Sequence, residues 1–247
     1  MIFALINQKG GVGKTTNTIH IGAALALQGH KTLLIDMDSQ CDLSHGCGIR
    51  KEAYSIKNFL DGSPNFKLQM KADNFYILPG DKDFEPALYS RKTLKNLMPK
   101  LKEHFDYILL DCPPQRVNEH YVTAQELALI SCDFYLIPLE ASETTVKNAN
   151  AFLGRVHDYI VKYNPSLRFL GFFFSNVLVT RKSHNHYGSI IKEVAKDLLF
   201  RSFVRSDAQV ESAVAKGKTI FQLNPNCRAS WDYQNLTTEL LKQINND

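Results

Sequence analysis

Lys14, Thr15 and Thr16 end the run KGGVGKTT, residues 9–16, which follows the apolar segment Ile2 to Ile6. These residue types at this spacing suit the binding of a polyphosphate. A glycine-rich turn between a strand and a helix aims several backbone N–H groups at one point, and the helix N-terminus adds the positive end of its dipole. Gly10, Gly11, Val12 and Gly13 supply the turn. The Lys14 ammonium then reaches the β- and γ-phosphates, the Thr15 hydroxyl ligates Mg²⁺, and Thr16 lies one step further on, near the α-phosphate. The pattern G-x-x-x-x-G-K-[ST] is met imperfectly, since Gln8 stands where its first glycine belongs, and Lys9 is a surplus cation. An isolated glycine-rich turn needs no function, but eight such residues between a strand and a helix bind nucleotide.

Carboxylates close two of the apolar runs, at Asp36-Met-Asp38 and at Asp111-Cys-Pro-Pro. Parallel strands would bring both to the mouth of the phosphate loop. Asp111 then suits the carboxylate that holds Mg²⁺ through water. Of Asp36 and Asp38, one orients or activates the attacking water while the other supports the metal shell. Asp38 is the better placed for the water, because it lies beyond the strand end, which leaves Asp36 with Thr15 and Asp111 on the metal. Asp106, at the start of its run, reads as structural.

The elements that must position these groups follow from hydrophobic patterning. Ile2 to Ile6, Thr32 to Ile35, Phe75 to Leu78, Tyr107 to Leu110, Phe134 to Ile137 and Phe169 to Phe174 are continuous apolar runs, as strands covered on both faces require. Helical patterns run over Thr16 to Gln28, Leu94 to His104 and Ser142 to Tyr163, and Asp61 to Asn65 reads as a loop. The alternation predicts an α/β fold, a doubly wound, mostly parallel sheet flanked by helices, with ligands at the carboxyl ends of its strands. At 247 residues, 44% hydrophobic and 22% charged, the chain fits one domain, 1–247. Five scattered cysteines without a C-x-x-C spacing read as free thiols, and the N-terminus lacks the pattern of a signal peptide, so a cytoplasmic protein is expected. The net charge of +4 permits contact with nucleic acid without demanding it.

KGGVGKTT, LLIDMDSQ and DYILLDCPP, in this order and spacing, resemble the ParA-type partition ATPases, P-loop NTPases of the deviant Walker A class. The likeness continues through SIKNFLDG, PLEASE and FVRSDAQVESAVAKGKTI, so it covers nearly the whole chain. It implies ATP and Mg²⁺ as cofactors, weak ATP hydrolysis, and a homodimer that sandwiches two nucleotides. In that dimer Lys9 would reach the partner's phosphates, and Gly10 and Gly11 would lie where the two backbones meet. A cation that arrives only on docking couples hydrolysis to assembly. The resemblance also places Asn176 and Asp207 beside the adenine base, although Arg205 replaces a proline common among relatives.

Such ATPases bind DNA without sequence preference, through basic residues on phosphates. Arg181 matches a DNA-contacting arginine of the family, and Lys182, Arg205 and Lys218 are further candidates, whereas Gln209 stands where a second family arginine is expected. The partner that stimulates hydrolysis would be a centromere-binding ParB-like or adaptor protein, and the location nucleoid-associated. A positioning ATPase of the MinD type is the nearest alternative, and a metabolic ATP-dependent enzyme of the same fold the next. Only Lys242 is basic in the final stretch WDYQNLTTELLKQINND, so its apolar face reads as core packing and no membrane binding is expected. The chain starts at its first strand, and no operator-specific DNA binding is expected of it.

Overall fold

The computed structural model describes residues 1–50, 54–64, 66–115, 117–118, 120–142 and 162–245. Seven strands form a single sheet: β1 (Ile2–Leu5), β2 (Thr32–Asp36), β3 (Gln69–Ala72), β4 (Phe75–Leu78), β5 (Tyr107–Asp111), β6 (Phe134–Leu139) and β7 (Arg168–Phe174). Their order is β3-β4-β2-β5-β1-β6-β7. All pairings are parallel except β3 with β4. The six apolar runs are the six parallel strands. The short β3 has alternating exposure, QMKA, and no continuous apolar signature, which is why sequence patterning passed over it.

Among the described residues the helices are α1 (Lys14–Leu27), α2 (Asp42–Gly46), α3 (Ile56–Leu60), α4 (Thr93–Lys102), α5 (Ala124–Ser131), α6 (Lys182–Ala195), α7 (Ala208–Ala215), α8 (Ile220–Leu223) and α9 (Arg228–Asn245). The helix expected over Ser142 to Tyr163 lies almost wholly outside the described residues. One sheet face packs Leu94, Met98 and Leu101 of α4 and Leu127 and Ile130 of α5. The other packs Ile19, Ile21 and Leu25 of α1 with Leu236, Leu240 and Ile244 of α9. The last three residues are nearly inaccessible, so the apolar face of α9 is spent in the core. Phe3 stacks at 5.7 Å on both Tyr107 and Phe134, joining the adjacent strands β5, β1 and β6.

Residues beyond α6 extend the sheet edge without forming a regular strand. Phe200 N donates to Phe172 O at 2.8 Å and Val204 N to Phe174 O at 2.9 Å, so this segment lies alongside β7. Gly171, at φ +139°, makes the approach possible, because a Cβ there would stand 2.4 Å from the Leu198 carbonyl oxygen. The Val177–Arg205 bridge then carries the chain across the carboxyl ends of the strands and into α7.

α1 and α9 meet through a buried ring stack as well as through aliphatic packing. The His20 ring stacks on Tyr233 at 4.8 Å, and its Nδ1 lies 2.7 Å from Thr16 O. Its Nε2 is buried without a hydrogen-bond partner among the described residues. Burial therefore lowers the His20 pKa to about 4. The unfolded chain takes up a proton near pH 6.5 that the native state refuses, so stability falls with pH below that value. The stability difference between the native chain and His20→Asn should shift against the native chain by about 2 kcal/mol from pH 7 to pH 5. Urea melts of both proteins at the two pH values check this, and a pH-independent difference would mean that His20 titrates normally.

Candidate nucleotide site

The loop between β1 and α1 is fixed from outside by Asn7. Its Nδ2 donates to Pro138 O on β6 at 2.9 Å, and its Oδ1 accepts from Lys9 N at 2.9 Å. Gly13 precedes α1 at φ +81°, with Asn17 Nδ2 and Ser175 Oγ only 3.1 and 3.2 Å from where a Cβ would sit. Gly10 and Gly11 are exposed, with nothing within 4 Å of the corresponding position, and Val12 is buried. The loop thus presents bare backbone outward while Val12 anchors it inward. Lys14 is buried, with Nζ 3.3 Å from Lys9 O, and desolvation lowers its pKa against the attraction of Asp111.

β2 and β5 are adjacent and in register, so Asp36 and Asp111 pair directly at their carboxyl ends. Both are inaccessible to solvent. Asp111 Oδ2 accepts from Thr15 Oγ1 at 2.7 Å, and burial together with the neighbouring Asp36 raises its pKa to about 8. Burial raises Asp36 to about 6, against hydrogen bonds at Oδ2 from Ser44 N at 2.9 Å and Ser44 Oγ at 2.6 Å. Ser44 also accepts from Gly80 N at 2.9 Å, so α2 and the end of β4 both hold Asp36 in place. Asp38 is partly exposed beyond the strand end, its Oδ1 accepting from Gln40 N at 2.9 Å.

These groups fit a magnesium ion. A hydroxyl beside a carboxylate supplies hard oxygen donors, and a dication would offset the repulsion that lifts Asp111. No group of three or more His, Cys, Asp or Glu side chains suited to a metal occurs among the described residues. Mg²⁺ keeps several of its waters and uses one or two protein oxygens together with substrate phosphates. Thr15 and Asp111 would hold it, with Asp36 behind them.

A cleft of about 150 Å³ opens beside the loop and is lined in part by Gly13, Thr16, Ser175, Asn176, Asp207 and Tyr233. Asn176 is exposed in the left-handed conformation, φ 55°, directly after β7 and Ser175. Asp207 caps α7 through Gln209 N at 3.0 Å and meets Arg228 at 3.6 Å. The fold therefore brings together Thr16, Asn176 and Asp207, which lie far apart in sequence. Asn7, Asn17, Ser44, Ser175 and Tyr233 also build the site, and sequence reasoning missed them because small polar residues inside apolar elements carry no distinctive spacing.

Lys9 pairs with Glu140 at 2.9 Å, both side chains partly exposed. The basic candidates divide. Arg181, Lys182 and Lys218 are exposed. Arg205 is not a free surface cation, because its guanidinium pairs with Asp232 through Nε at 2.9 Å and through Nη2, while Arg205 N donates to the same carboxylate at 3.0 Å. Gln209, where an arginine was expected, accepts from Asn224 Nδ2 at 2.9 Å. Asp106 is structural, its carboxylate accepting from Lys31 N at 2.7 Å.

Known proteins resemble this chain in sequence and in fold. The AAA_31 family, described as an AAA domain, matches residues 1–169. A ParA family protein of Chlamydia pneumoniae is 31% identical over 94% of this chain and 94% of its own length. The chain belongs to the ParA family. Another similar protein, the chromosome-partitioning ATPase Soj of Treponema pallidum, is 27% identical over 96% of this chain and 95% of its own. The fold of this ParA family member is also that of the septum site-determining protein MinD from Pyrococcus horikoshii, solved with Mg-ADP, at TM-score 0.78 and 22% identity over 97% of this chain and 95% of that one.

In the metal-free protein Asp111 is a liability. Its raised pKa means that the native state binds a proton more tightly than the unfolded chain, so its cost appears above pH 4 and grows up to about pH 8. Asp111→Asn should therefore stabilise the protein in EDTA at pH 8 by about 1–3 kcal/mol. The same variant should bind ATP more weakly with Mg²⁺ present. Denaturant melts with and without the metal test both halves, and destabilisation in EDTA would contradict the assignment.

Proposed function

We propose that this ParA family member is an Mg²⁺-dependent ATPase whose ATP-bound homodimer binds DNA without sequence preference and lets go when a centromere-binding or adaptor partner stimulates hydrolysis. The observation that carries this reading is Lys9, a second and partly exposed loop cation. A partly exposed ion pair such as Lys9–Glu140 is worth about 0–1 kcal/mol. Exchanging Glu140 for the phosphates of a nucleotide in a facing subunit therefore costs little. Open backbone at Gly10 and Gly11 leaves room for that subunit to approach.

Each chemical role falls to a residue already placed. Backbone N–H groups of the loop and Lys14 hold the β- and γ-phosphates, and the buried position of Lys14 strengthens that attraction. Thr15 and Asp111 would hold Mg²⁺, which when bound would offset the negative charge of the phosphates. Asp38, beyond the strand end, orients the attacking water, while Lys9 from the second subunit neutralises charge that builds on the γ-phosphoryl oxygens. Asn176 and Asp207, which line the cleft beside the loop, are the residues proposed to meet the base. Arg181, Lys182 and Lys218 are the exposed cations offered to DNA phosphates. For a membrane-bound positioning ATPase the apolar face of α9 would have to be free, and it is buried. Among the described residues no helix is long and apolar enough to cross a membrane.

Plasmid DNA should retain the protein with ATP and not with ADP, and retention should collapse between about 50 and 200 mM salt. Binding to anionic liposomes in place of DNA would favour the positioning alternative. Lys9→Gln should leave the affinity of the monomer for ATP unchanged while cutting DNA- or partner-stimulated turnover by about tenfold or more. An unaltered turnover in that variant removes the sandwich mechanism.

A further inference from the structure

The C-terminal helix α9 braces the cleft through two consecutive residues: Tyr233 lines it, and Asp232 holds Arg205, which lines it. Tyr233 is 1% exposed, and its hydroxyl donates to Asn17 Oδ1 at 3.1 Å. Asn17 in turn donates from Nδ2 to Ser175 Oγ at 2.8 Å. This three-residue relay ties the C-terminal helix to the first turn of α1 and to the end of β7, immediately before Asn176. Asp232 receives the backbone N–H and both guanidinium contacts of Arg205, two residues before Asp207. Tyr233 thus reaches Ser175, next to Asn176, through Asn17, and Asp232 reaches the stretch that leads to Asp207 through Arg205.

We infer that Asp232 and Tyr233 are positioning residues for the nucleobase, setting Asn176 and Asp207 relative to a phosphate loop that is itself held from the other side. This rests on the proposed reading of the cleft as a base site. The physical case is that the phosphate loop has backbone and side-chain anchors of its own. The phosphate loop is anchored to β6 through Asn7, and Asn17 N donates to Gly13 O at 2.8 Å. The base half hangs on side chains of α9. Buried hydrogen bonds in a fully desolvated setting admit few alternative geometries, and leaving Asn17 Oδ1 unpaired would release Ser175 and the left-handed turn at Asn176. Arg205 would lose its bidentate partner and with it the path of the chain into α7.

The test compares ATP with inorganic tripolyphosphate, which has the phosphates and no base, by calorimetric titration of the full chain with Mg²⁺. Tyr233→Phe keeps the ring and its stacking on His20 and removes one hydroxyl, and Asp232→Asn keeps the shape and removes the charge. Each should weaken ATP binding about five- to tenfold while changing tripolyphosphate binding by less than about twofold. Equal losses for both ligands would indicate general loosening and overturn the inference. Native preference for ATP that persists undiminished in both variants overturns it alone, leaving the base site intact. A native chain that binds tripolyphosphate as tightly as ATP overturns the base-site reading together with it.

Discussion

Asp36 and Asp111 end neighbouring parallel strands in register, both out of reach of water. Two carboxylates so placed repel each other in a medium that screens poorly, and that repulsion organises their surroundings. Ser44 brings two donors to Asp36, Thr15 brings one to Asp111, and Lys14 is drawn into a buried position it would otherwise avoid. The helix that carries Ser44 and the loop that carries Lys14 are thereby set against the same strand ends. A fold selected for stability alone would place apolar side chains at these two positions. Their retention fits a site that is completed by a dication and a polyphosphate, and it concentrates the instability of the free protein at one point.

Around that point the molecule divides by the origin of its parts. The phosphate half comes from a continuous N-terminal stretch, β1, the loop and α1, and leans on β5 and β6. The base half comes from segments after β7 that cross the strand ends before entering α7, with α9 behind them. Hydrogen bonds through Asn17 and Ser175 join the halves, and the stack of His20 on Tyr233 lies behind this junction. Nucleotide would bridge the same junction from the open side, so binding and packing act across one seam.

Much of this was legible in the residues. The six apolar runs were the six parallel strands, because strands covered on both faces have no polar alternation to confuse them. Lys14, Thr15, Asp36 and Asp111 were identifiable because their chemistry is unusual beside buried strands, and the family likeness rested on the same motifs. β3 was invisible because an exposed edge strand of QMKA looks like any polar segment. The ion pair of Arg205 was not legible, because a sequence does not say which carboxylate lies opposite, and Asp232 is 27 residues away.

The sequence by itself determined the order of elements, the phosphate loop and the surplus lysine, since these depend on local spacing and on which side chains can meet a given charge. Tertiary structure alone decided the partners: Lys9 with Glu140, Tyr233 with Asn17, Arg205 with Asp232, and Asn176 with Asp207 in one cleft. The reason is physical. Local conformation follows from the backbone and near neighbours, whereas buried polar groups choose partners only after long-range packing has removed water and left few geometries in which their hydrogen bonds can be made.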